Sequence, residues 1–208
     1  VRLITAKPVI GEFQAGADFK QSSTRGGETS TALEGYLNLP LSDSVAVRIA
    51  AFSDRQGGWI DNILNDPENG GYSPSIEVIN RNDISNAPVN PGTPFVAADN
   101  SEFLEEDFND ASYAGGRFGL SYVADEWDLL VQHTQQSLDS EGVFAYDPNL
   151  DGEAAVNRFA PDENHDDFGL TTWTLNARLG MLDFIYTGGF LNRDVNSLID
   201  YTCLLYTS

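Results

Sequence analysis

The sequence predicts an all-β fold, a partial antiparallel wall of about seven strands from a transmembrane β-barrel, with long acidic outer loops. Three observations lead there. Seven stretches alternate apolar and polar residues, which in an extended chain gives each one oily and one wet face. Their connections switch between a few residues and several tens, as in membrane barrels with short inner turns and long outer loops. No stretch reaches the roughly 18 consecutive apolar residues of a membrane helix.

Taken in order, Val1–Lys7 reads as a short strand with Val1, Leu3 and Thr5 on one face, ended by Pro8. Glu12–Thr24 places Phe13, Ala15, Ala17 and Phe19 opposite Gln14, Asp18 and Lys20, and Arg25-Gly26-Gly27-Glu28 is a hairpin signal. Thr29–Leu39 sets Leu33, Leu37 and Leu39 against Glu34, Tyr36 and Asn38. After a turn at Pro40–Ser44, Val45–Asp54 alternates Val45, Val47, Ile49 and Ala51 with residues that include Arg48 and Asp54. Ala111–Val123 turns Ala114, Phe118, Leu120 and Tyr122 away from Tyr113, Arg117 and Ser121. Trp127–Leu138 sets Trp127, Leu129 and Val131 against Asp128, Gln132, Thr134 and Gln136. Asp167–Leu179 does the same with Trp173, Leu175, Ala177 and Leu179 against Thr172, Thr174, Asn176 and Arg178. Leu182–Arg193 finishes with Leu182, Phe184, Tyr186 and Phe190 opposite Asp183, Thr187 and Arg193. Tyr122, Trp127, Phe184 and Tyr186 lie near strand ends, where an interfacial girdle would sit.

The formal net charge is −21, from 32 acidic and 11 basic residues. That excludes a nucleic-acid binder, which needs a basic stripe. Gln56–Asp110 holds 11 acidic residues against Arg81 alone, and Asp139–Asp166 holds 8 against Arg158 alone. Both blocks are rich in Pro, Asn and Gly and read as long loops. Their negative field attracts cations and repels anions. Such a field favours a neutral or cationic ligand, or divalent ions held by the loop carboxylates. A single Cys rules out an internal disulfide framework.

Asp147-Pro-Asn149-Leu-Asp151-Gly152 matches the opening of a calcium loop, so Asp147, Asn149 and Asp151 are candidate ligands for Ca²⁺. The twelfth position is Arg158 instead of the bidentate Glu, and an Asn/Asp turn is the competing reading. His165 sits among Asp162, Glu163, Asp166 and Asp167, as a weak metal candidate or a solvated loop residue; His133 reads as interfacial. No nucleophile elbow, P-loop, dinucleotide fingerprint or H-E-x-x-H occurs, and Glu105-Glu106-Asp107 reads as a solvated charge run. No catalytic or cofactor-binding residue is assigned, and the chain is not expected to be an enzyme.

Val1-Arg-Leu-Ile-Thr-Ala-Lys-Pro8, the strand closing on Asn38-Leu-Pro-Leu41, and Arg55-Gln-Gly-Gly-Trp-Ile-Asp61-Asn62 carry a resemblance. With the strand rhythm over residues 1–201, they resemble the TonB-dependent outer-membrane receptors, and among them those for iron complexes. The resemblance implies that residues 1–10 end a plug domain. Residues 11–202 would then begin a barrel of roughly 22 strands. It further implies a Gram-negative outer-membrane location, lipid and lipopolysaccharide as neighbours, and uptake of an iron–siderophore or similar scarce nutrient complex. The TonB energy-coupling protein would act through a region that this sequence does not contain. Cys203–Ser208 resembles a translated sequencing adapter and is read as non-native. The chain opens mid-strand without Met and is read as part of a longer protein. The competing reading is a soluble secreted β-sandwich that binds glycan or protein.

Overall fold

The structure is a computed structural model describing residues 5–66, 100–150 and 154–200. Seven long strands make one sheet: β1 (Gln14–Ser23), β2 (Thr29–Pro40), β3 (Val45–Gln56), β5 (Ala111–Val123), β6 (Trp127–Glu141), β8 (Glu163–Leu179) and β9 (Leu182–Leu198). Between them, β4 (Asp61–Asn62) and β7 (Ala155–Val156) form a small parallel pair. The large sheet runs β1-β2-β3-β5-β6-β8-β9, every neighbour antiparallel. It is an open sheet, not a closed barrel, and β1 and β9 are its edges.

The alternation of the sequence places all seven strands, and the corrections lie at their ends. Strands β6, β8 and β9 run on past the expected Leu138, Asp167 and Arg193, so the second acidic block is mostly strand at its margins. Thr5–Lys7 is not a strand, and Val1 to Ile4 lie outside the described residues. Tight turns join β2 to β3, β5 to β6 and β8 to β9 at one end of the sheet. They are stitched side by side, with Val123 N–H donating to Ser44 O at 2.8 Å and Arg178 N–H to Glu126 O at 2.7 Å. Gly180, at φ +66°, turns β8 into β9 in two residues.

Register determines what each face carries. On one face the row Leu39–Val47–Leu120–Val131–Trp173 is apolar across five strands. A row further from the tight turns starts apolar and ends acidic: Phe19–Leu33–Ser53–Ala114–Ser137–Asp167–Asp194. A row nearer the turns is apolar only at the other side, through Trp127, Ala177 and Phe184. The apolar band therefore slips by about one residue per strand from β1 to β9. With roughly 3.3 Å per residue and 4.8 Å between strands, it crosses the strands at a tilt of about 35°. Along β9 it covers Leu182–Phe190, a strand length of about 30 Å, or close to 25 Å along the band normal. Tyr122 and Trp127 stack at its tight-turn margin, ring centroids 4.8 Å apart.

No element packs on this band among the described residues. Phe19, Leu33, Ile49, Phe118, Phe184 and Phe190 are all exposed. The buried apolar cluster is small and lies elsewhere, around Ile60, Phe108 and Val156. The opposite face is hollow. One groove is bordered by Gly16 and Asp18 of β1 and by Phe168, Leu170 and Thr172 of β8. Those strands stand five spacings apart, about 24 Å in a flat sheet, so the sheet curves around the groove.

Candidate functional site

The hollow face carries the polar half of each strand, and the segment before β1 lies on it. Thr5 Oγ1 donates to Gln132 Oε1 on β6 at 3.3 Å. Pro8 rides over Gly119, where an added Cβ would meet Pro8 Cγ at 3.2 Å. Fully buried Asn38 then fastens the segment to β2: its Oδ1 accepts from Val9 N–H at 2.9 Å, and its Nδ2 donates to Val9 O and Glu12 O at 2.8 and 2.7 Å. A strand asparagine thus substitutes for ladder bonds in a segment that has none. The Asn38-Leu-Pro-Leu41 stretch singled out in the sequence owes its first residue to this clamp.

The groove of about 770 Å³ on this face is lined by Tyr36, Phe52, Arg48, Arg117, Gln132 and Thr134, among others. Arg48 lies over the Tyr36 ring, 4.1 Å from its centroid, and donates from Nη1 to Gln14 Oε1 at 3.0 Å. In the ladder Arg48 pairs with Gly119 and Ala50 with Arg117, so the two guanidiniums are diagonal neighbours. Lys20 takes both carboxylates bordering the groove, Asp18 at 3.2 Å and Glu34 at 3.3 Å. Neither arginine makes an ion pair among the described residues.

At the far end from the tight turns, the loops form a cap that the sequence reading treats as plain loop. The backbones of Asn62 and Glu105 exchange hydrogen bonds at 2.8 and 3.2 Å, and Phe108 N–H donates to Ile60 O at 2.8 Å. Asparagines do the rest. Asn109 Oδ1 accepts from Trp59 and Ile60 N–H at 2.7 and 2.8 Å. Asn62 Oδ1 accepts from Arg158 N–H at 2.7 Å while its Nδ2 donates to Phe103 O and Arg158 O. Asn100 and Asn157 both donate to Ile63 O at 2.8 Å. Asp61 Oδ1 accepts from Asp107 N–H at 2.9 Å, which holds Asp107 at φ +56°. The Glu105–Asp107 run keeps the Glu105 and Glu106 side chains exposed, as expected of a solvated charge run, while Asp107 is half-buried and the backbone at Glu105 and Asp107 is engaged. Burial, with Asp61 nearby, pushes the Asp107 carboxyl above its usual range. Gly58 makes the contact possible: a Cβ there would stand 1.6 Å from Asp107 O.

The predicted metal residues divide. Asp147 and Asn149 form an Asx turn, Asp147 Oδ1 accepting from Asn149 N–H and Nδ2 at 2.9 Å each. Asp151 lies outside the described residues, as does the Cys203–Ser208 tail. Among the described residues no group of three or more His, Cys, Asp or Glu side chains is placed to hold a metal ion. His165 stands on β8, not in a loop, on the banded face beyond the apolar zone. Its ring bonds Asp139 at 2.5 Å and Asp167 at 2.9 Å, and these two carboxylates raise its pKa. His133, at the band margin, bonds Thr171 Oγ1 at 2.9 Å. No family model, curated protein or solved structure matches the chain.

Proposed function

We propose that this chain is wall and outer-loop cap from a TonB-dependent outer-membrane transport receptor, taking up an iron–siderophore or comparable nutrient complex. One observation carries the reading. A bare apolar band about 25 Å deep crosses seven strands at about 35°, edged by stacked aromatics, with charged and amide side chains on the other face. A sandwich would need a second sheet against that band, and the described residues contain only the β4–β7 pair besides it. The segment crossing the hollow face supports the assignment of residues 1–10 to the end of a plug. Lipid and lipopolysaccharide would cover the band, and the coupling protein would act elsewhere in the polypeptide.

The tryptophans supply the test. Trp127 and Trp173 lie on the band, whereas Trp59 lies in the cap. In vesicles of brominated phospholipid, single-tryptophan variants keeping Trp127 or Trp173 are expected to be quenched, and one keeping Trp59 is not. A protein that is monodisperse without detergent, with all three unquenched, overturns the reading. Raising salt from about 0.05 to 0.5 M in a cargo-binding assay tests the acidic loops, because it screens a long-range field.

A further inference from the structure

The transport reading leaves two guanidiniums on the hollow face without a role. Diagonal neighbours on one sheet face stand about 7–8 Å apart between backbones, within reach of long side chains. Arg48 and Arg117 are such neighbours, both half-buried, so they repel each other where water screens them poorly. The chain holds 32 acidic residues, yet among the described ones no carboxylate meets either guanidinium, and the two that border the groove hold Lys20. The neighbourhood is also short of acceptors. Arg48 Nε and Gln132 Nε2 are buried donors with no partner among the described residues. They belong to one ladder row, Arg48–Gly119–Gln132, in which the apolar Pro8 ring, lying over Gly119, offers neither of them an acceptor. Buried donors of this kind ordinarily have an acceptor.

We propose that Arg48, Arg117 and Gln132 form a seat for a carboxylate. The guanidinium fork suits two-oxygen anions, and Tyr36 and Phe52 give the groove an apolar wall for the carbon body that carries one. The seat takes either a free organic acid or a carboxylate side chain of polypeptide packed on this face. It does not depend on what covers the banded face.

The full-length protein in non-ionic buffer, with citrate as probe, separates the two sources. Arg117 makes no hydrogen bond among the described residues, so Arg117→Gln is expected to fold. Calorimetry showing citrate bound by the parent, and on the order of tenfold more weakly by Arg117→Gln, identifies a free acid. No citrate heat, with an unfolding midpoint that falls in Arg117→Gln at low salt and recovers at high salt, identifies a tethered carboxylate. No citrate heat together with an equal or higher midpoint, or with a fall that salt does not change, overturns the seat.

Discussion

Asn109 sets the scale of what one side chain does in this chain. Its oxygen is the acceptor for two consecutive amides, one of them fully buried at Ile60. Asn109→Ala is expected to cost about 2–4 kcal/mol of cap stability, since two donors lose their partner at once. Faster amide exchange at Trp59 and Ile60, with the sheet amides unchanged, is the measurement. Gly58→Ala should loosen the same contact through backbone displacement. His165 gives a pH signature. Its folded pKa is raised, first by Asp139 and then by Asp167, so its contribution is complete below about pH 6.5 and lost as pH rises through the folded value. Asp167 runs the other way: bonds from Ser137 and His165 lower it, so its contribution is present above 3.8 and lost as pH falls through the folded value. The outer β6–β8 ladder is therefore held best between those limits, and amide exchange near Asp139 should follow this profile and flatten in His165→Gln. None of these roles was legible beforehand. Asn reads as a turn residue in sequence, and which backbone amides it will meet depends on loops distant in the chain.

At the scale of elements, the seven long strands and both of their faces were legible because alternation contrasts strongly within the apolar band. Beyond it, Asp139-Ser-Glu141 and Glu163-Asn-His-Asp166 alternate polar with polar, and their strand character leaves no mark. The two-residue β4 and β7 carry no period at all; they form because Asp61 N–H and Ile63 N–H find Ala154 O and Val156 O at 3.0 Å each. Arg48 and Arg117 were both readable as wet-face residues, but their adjacency depends on register, which one strand's pattern does not contain. The band itself makes a prediction. Ile49 is 45% exposed, so in water Ile49→Arg would cost little. In lipid it is expected to destabilise by about 2–4 kcal/mol. Unfolding by denaturant in bilayers measures the difference.

Across the whole molecule, curvature and open edges go together. Strands β1 and β9 each present an unpaired ladder, and nothing among the described residues shields the 17-residue β9. The isolated chain is expected to associate edge to edge and sediment as dimers and larger species, whereas the same strands inside a complete ring would not. The cap bears on this geometry. Asn62 follows β3 and Arg158 precedes β8, three neighbours along in the sheet, and they are fastened to each other. That fastening works as a bowstring drawn across the arc. It sets the radius of the sheet from β3 to β8. Slackening it with Asn62→Ala should let the bow straighten, seen by pulsed electron paramagnetic resonance as a longer separation between labels at Ser23 and Asn196.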